Sequence, residues 1–158
     1  MKKNLAWHFV GATLRDGSPI PPDGQWLKYD EPLVMCKSGL HFSRTPWQAL
    51  HYAPGDTLCL VEIAGKIKED ADKGVCSSRR IVARMDAELL LRYFARQQAL
   101  SVLHLWDAPD VVLDYLMGDE AARAAARAAA HEATWAARAA ARAAAFNLLI
   151  YKCFEDYL

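Results

Sequence analysis

Apolar positions follow two different rhythms along this chain. Up to about residue 85 they come in short runs, several of them alternating with polar residues. Beyond that they recur at helical spacing. Leu5–Val10 is apolar and aromatic and predicts a first strand. Asp16-Gly17, Pro19, Pro21-Pro22 and Asp23-Gly24 are turn signals, so residues 11–24 read as a long loop with a short strand near Ile20. Trp26–Tyr29 and Leu33–Cys36 predict further extended segments.

The stretch from Cys36 to Ile67 organises the chain and reads as strand, short helix, strand. Leu40-His41-Phe42-Ser43 is extended. Thr45 is a good helix N-cap, and Pro46 sits at the first helical position, where proline is tolerated. About two helical turns follow, with Trp47, Ala49, Leu50 and Ala53 on one side. Pro54-Gly55-Asp56 ends them. Thr57–Ile63 alternates, placing Leu58 and Leu60 on one face and Cys59, Val61 and Ile63 on the other. The polar run Lys68–Gly74 predicts a loop, and Val75–Met85 a strand.

Asp86 then caps a predicted helix from Ala87 to about Leu105. A second helix starts at Asp107-Ala108-Pro109 and stops at Gly118, a C-cap residue. From Asp119 almost to the C-terminus one long alanine- and arginine-rich helix is expected, since both residues are strong helix formers. Phe146, Leu149, Ile150, Cys153 and Phe154 are bulky residues at helical spacing that would dock its end into a core. The fold class is therefore α+β. A small twisted sheet with one short crossing helix occupies residues 1–85. A helical region, residues 86–158, packs on it within a single compact unit.

On that last helix Arg123, Arg127, His131, Arg138 and Arg142 fall at about 0°, 40°, 80°, 60° and 100°, a basic stripe with alanine opposite. The plainer interpretation is a solvated arginine face, with the alanine face packed on the chain's own helix or on a second copy in a homo-oligomer. The functional one is a stripe for phosphates, which would make nucleic acid a partner.

Charge narrows the options. Lysine plus arginine equals aspartate plus glutamate at 19 each, so there is no global pull toward nucleic acid or an anionic membrane. The four cysteines, Cys36, Cys59, Cys76 and Cys153, form no C-x-x-C pair and read as buried, reduced thiols of a cytoplasmic protein. The first residues lack the apolar core of a signal peptide, and no apolar run reaches membrane-spanning length. Neither a metalloprotease helix motif, nor a nucleophile elbow, nor a glycine-rich phosphate loop occurs, so no metal is expected.

Two family resemblances involve the central stretch. The pattern Gly39-Leu40-His41-Phe42-Ser43, a short helix ending Tyr52-Ala53, and a strand carrying Val61-Glu62 and Gly65 resembles the rifampin-modifying ADP-ribosyltransferases. That likeness implies NAD as cofactor. His8 would hold the ribose, and His41 with Phe42 would stack on nicotinamide. Ser43 and Tyr52 would line the cofactor site. Asp70 or Asp72 would supply the acid. The runs Val34-Met35-Cys36-Lys37-Ser38-Gly39-Leu40-His41, Val61–Ile67 and Asp72–Ile81 resemble a family of uncharacterised phage and prophage proteins sharing a C-x-S-G-[FL]-H motif. Together with the absence of an intact catalytic pattern, this resemblance implies a non-enzymatic accessory protein without cofactor in the bacterial cytoplasm. It would bind a host protein or a nucleotide-like ligand in host takeover or counter-defence. Of the residues that carry this resemblance, Cys36, Gly39, His41 and Gly65 can also serve the fold alone. A mono-ADP-ribosyltransferase is the alternative, and nucleic-acid binding through the arginine stripe the second.

Overall fold

A computed structural model describes residues 4–105, 108–130 and 139–157. The protein is α+β, with a five-stranded antiparallel sheet and helices concentrated after it. Two compact units form. One comprises residues 1–88 and 145–158, the other residues 89–144.

The first unit is built on β1 (Leu5–Val10), β2 (Leu27–Lys28), β3 (Leu40–Phe42), β4 (Thr57–Glu69) and β5 (Gly74–Asp86). β1 pairs with β4, β4 with β5, and the outer edge of β5 with both β2 and β3. Ser43, directly after β3, exchanges two 2.8 Å backbone hydrogen bonds with Trp7. The ladder β1–β4–β5–β3 thus returns to β1 and the sheet closes on itself, leaving little open edge. Gly74 faces Phe42 across this ladder, and a Cβ there would collide with the Phe42 ring. The aromatic ring covers the bare backbone, which fixes the register at the head of the hairpin.

The two faces follow the alternation. Ala6, Val10, Cys59, Val61 and Ile63 join Phe42, Cys76 and Ile81 in one core cluster. Trp7 and its register partner Leu60 lie on the opposite face, and both are buried. There the Trp7 ring meets Phe154 edge-on at 4.9 Å and Tyr151 at 5.9 Å. These two residues belong to the C-terminal segment, which contains the end of helix α5 (Ala139–Cys153). Helix α1 (Pro46–Leu50) carries the expected Thr45 N-cap, which the structure extends to a capping box with Gln48. The Trp47 N–H, in the first turn of α1, donates to Asn147 Oδ1 at 2.9 Å, tying α1 to α5.

The second unit holds most of α2 (Glu88–Ser101), then α3 (Asp110–Met117) and α4 (Arg123–Ala130). Asp86 accepts from the Glu88 N–H as a cap, and Gly118 ends α3 at φ 119°. Val112, Leu116 and Ala126 form its small core, with Ala99 and Leu100 packed against it. Arg92 and Arg96 both reach Glu120.

Several expectations need correction. Lys68 and Glu69 are strand, not loop. Register with Val75 and Gly74 holds them, together with Lys68 Nζ on the Leu33 carbonyl and Glu69 on Arg44. The hairpin turn therefore shrinks to residues 70–73, closed by Asp70 N–H to the Lys73 carbonyl at 2.8 Å. Leu33–Cys36 is not a strand. It leads into a tight turn in which Ser38 bonds back to Val34 and Pro32. Cys36 sits there at φ 63°, a left-handed conformation that costs a non-glycine residue about 1–2 kcal/mol. Ile20 packs on the core cluster without forming a strand. Helix α1 has five residues rather than two turns.

At the C-terminal end Phe146, Ile150 and Phe154 are buried as expected, but Cys153 is exposed. Cys36 is exposed too, so only Cys59 and Cys76 are buried. Burial pushes both of those thiols up to about 11. A thiol reagent applied to the native protein at pH 8 is therefore expected to modify two cysteines quickly and the other two only after unfolding. Four fast thiols would contradict this packing. Among the described residues no helix is long and apolar enough to cross a membrane.

Candidate functional site

The first unit contains a cleft of about 890 Å³, within the range of small-molecule sites. Its walls are the end of β1 with residues 11–16, the segment 36–43 with β3, and residues from α1 and β5. Gly39 makes the approach of these walls possible. Its φ is 106°, and a Cβ there would sit 2.8 Å from Leu33 Cδ2. The glycine of the central motif thus lets the chain turn from the Val34–Ser38 loop into β3, which delivers His41.

His8 and His41, distant in sequence, both line this cleft. Alternation along β1 puts His8 on the face of Ala6 and Val10, opposite Cys59. Its pKa lies well below the ordinary value, first through burial, then through the positive charge of Arg79 and the neighbouring His41. His41 is lowered for the same first reason, with Arg15, Arg79 and Lys73 adding repulsion, while a backbone hydrogen bond to Gly39 acts the other way. Both imidazoles are therefore neutral at pH 7. His41 Nε2 is buried and has no hydrogen-bond partner.

Phe42, Ser43 and Tyr52 also line the cleft, so five of the residues singled out from sequence share one wall system. The Ser43 backbone is committed to Trp7. Asp70 and Asp72 are not among the lining residues. Asp70 Oδ1 accepts from the Ala71 N–H within the hairpin turn. Asp72 takes the Tyr52 hydroxyl, which lowers its pKa, and lies 3.8 Å from Lys73. In the basic stripe, Arg123 is exposed at the start of α4. Arg127 and Arg142 fall in α4 and α5, while His131 and Arg138 lie outside the described residues.

The residue that sequence reasoning missed is Arg79. Its neighbours in sequence are paired. Arg80 holds Glu62 at 2.6 Å, and Arg84 Nε holds Asp23 at 2.6 Å. Arg79 is only 5% exposed, lines the cleft, and pairs with no carboxylate among the described residues. It donates to the backbone carbonyl of His41. Burial lowers its pKa to about 10, so it stays charged at neutral pH. A signal was present. Arg79 shares strand parity with Ile81, which is buried, whereas Arg80 points the other way.

Four cationic side chains, Arg15, Lys37, Lys73 and Arg79, line the cleft against one carboxylate, Asp16. Asp16 is occupied by the N–H and hydroxyl of Ser18 at 3.0 and 2.6 Å. Among the described residues no three His, Cys, Asp or Glu side chains group to hold a metal ion.

Fold and site together define an α+β protein with a closed antiparallel sheet and a cationic cleft beside two neutral histidines. Residues 5–93 match the family described as Domain of unknown function (DUF7666), and the chain belongs to that family. The match covers all five strands and the whole cleft. No curated protein and no solved structure matches the chain.

Proposed function

We propose that the protein is a non-enzymatic binding module whose cleft takes a nucleotide-like small molecule. The observation that carries this reading is His41. Its Nε2 is buried in the cleft wall without a partner, and a buried polar atom left unpaired costs about 1–3 kcal/mol. A ligand hydroxyl or N–H donated to Nε2 would remove that cost, and the cleft volume suits a nucleotide-sized molecule. The resemblance to phage and prophage proteins supports reading such a module as one for host takeover or counter-defence, where capture of a ligand suffices.

The alternative, mono-ADP-ribosyl transfer from NAD, is supported by His8 and His41 lining one cleft. It requires a carboxylate near the anomeric carbon to stabilise an oxocarbenium-like charge. Asp70 and Asp72 lie outside the cleft lining, and cations dominate that lining. Both features favour binding over turnover.

Calorimetry with NAD, ADP-ribose and adenosine, paired with a nicotinamide-release assay, tests the two. Binding without release is expected, weakened about tenfold or more in His41→Phe, which keeps the ring but removes Nε2. Nicotinamide release that disappears in His8→Ala would establish the transferase instead. Absence of binding for all three ligands would refute the nucleotide reading.

A further inference from the structure

We infer that the cleft contains an oxyanion site of the phosphoryl class, with the Arg79 guanidinium as its fixed cation. This deepens the ligand-binding reading above and rests on it for the rest of the ligand.

The argument begins with the cost of the residue. An ionised side chain removed from water without an opposite charge is destabilising by several kcal/mol, and proteins ordinarily pair such groups. This chain pairs its neighbouring arginines. Arg80 has Glu62, Arg84 has Asp23, and Arg44 has Glu69. Arg79, buried to 5% exposure, has the His41 carbonyl as acceptor and no carboxylate among the described residues. A methionine or leucine would fill the same core position without that cost, so the retained charge points to a counter-ion from outside the chain.

The surroundings select the kind of counter-ion. Arg15 donates to the Cys36 carbonyl at 2.9 Å and so stands beside the same cleft. Lys73 is held by the Tyr52 hydroxyl at 3.1 Å, and Lys37 lies on the turn before β3. A single carboxylate ligand would need one of these cations. A phosphate or pyrophosphate, with more charge and more acceptor oxygens, can use several. Guanidinium is the side chain whose planar donor fork suits phosphate oxygens, and its donors beyond the one spent on His41 remain for such a ligand. The neutral imidazole of His8 borders the same space as a further polar group.

The test uses the full chain and inorganic pyrophosphate as the probe, at constant ionic strength, with calorimetry and thermal unfolding as readouts. Saturable binding and a raised melting temperature are expected. Arg79→Met should weaken binding ten- to hundredfold, the worth of a charge-assisted hydrogen bond in the dry. Arg79→Lys keeps the charge but loses the fork. It should fall between wild type and Arg79→Met, and it serves as the measurement if the methionine variant does not fold. No saturable pyrophosphate binding by wild type would overturn the site, as would equal affinity in the variants. An equal melting shift with sodium chloride at matched ionic strength would overturn it as well, because screening alone would then explain the effect. Adenosine binding without pyrophosphate binding would overturn the oxyanion site and leave the ligand-binding reading standing. Pyrophosphate binding with no response to NAD, ADP-ribose or adenosine would keep the site and remove the nucleotide reading.

Discussion

Replacing Phe146 by alanine is expected to lower unfolding stability by about 3–5 kcal/mol, the range for deleting a buried aromatic ring. Phe146 is fully buried, with its ring 5.8 Å from that of Trp47. It is one of three residues, with Ile150 and Phe154, that bury the C-terminal segment within the sheet-bearing unit. Truncation would leave a cavity beside Trp47 that two elements border, so neighbouring side chains cannot simply close it. A loss of that size is a large share of the stability of an ordinary domain. Leu148→Ala, on the same helix but 63% exposed, should stay within about 0.5 kcal/mol of wild type. Urea unfolding of both variants checks this. If Phe146→Ala behaved like Leu148→Ala, the C-terminal segment would not be anchored as described.

Stability should also fall steadily as pH drops below about 6.5, well before carboxylates titrate. His8 and His41 both have lowered pKa values in the folded protein, through burial first and then through Arg79, Arg15 and Lys73. In the unfolded chain each takes up a proton near pH 6.5, whereas in the folded protein each resists it. Below that pH the unfolded state therefore binds more protons and is favoured. The slope approaches ~1.4 kcal/mol per pH unit for His8, until the folded protein also protonates, and is smaller for the half-buried His41, which solvent screens. Asp16, Glu69 and Asp72 are lowered by their partners, so their stabilisation persists down to about pH 4 and leaves the interval above it to the histidines. On the alkaline side Cys59 and Cys76 are pushed up to about 11, so stability declines again once the unfolded thiols ionise near pH 9. Urea midpoints measured from pH 5.0 to 7.5 should show the acid slope in wild type and a shallower one in His8→Gln. A flat profile across that interval would mean that both imidazoles titrate normally in the folded state. Pyrophosphate bound beside Arg79 should flatten it as well, since an anion offsets the repulsion each imidazolium feels.

The candidate site was partly legible. His8, His41, Phe42, Ser43 and Tyr52 were selected by their likeness to an NAD-binding pattern, and all five line one cleft. The acids chosen with them, Asp70 and Asp72, lie in the hairpin turn and are occupied with Ala71 and Tyr52. Proximity in a sequence motif did not specify whether the turn bends toward the cleft. That depends on how far β4 and β5 extend, and the pairing of Lys68 and Glu69 carried the strands further than polarity suggested.

What the amino-acid sequence determined by itself was local. Leu5–Val10 is a strand because its residues favour a pleated surface. Thr45-Pro46 opens a helix, Asp86 caps one and Gly118 closes one because side-chain capping and left-handed geometry act within a few residues. The tertiary structure alone decided the bond between Trp7 and Ser43 that closes the sheet, the left-handed Cys36, and above all the fate of the three arginines in Ser78–Arg84. In sequence, strand parity separates Arg79 from Arg80, but nothing local says which of the three finds an acid. Register against β4 placed Arg80 beside Glu62, while the loop after β1 brought Asp23 to Arg84. Arg79 faced inward and pairs with no carboxylate among the described residues, because whether a charge finds its counter-ion depends on residues far away in the chain.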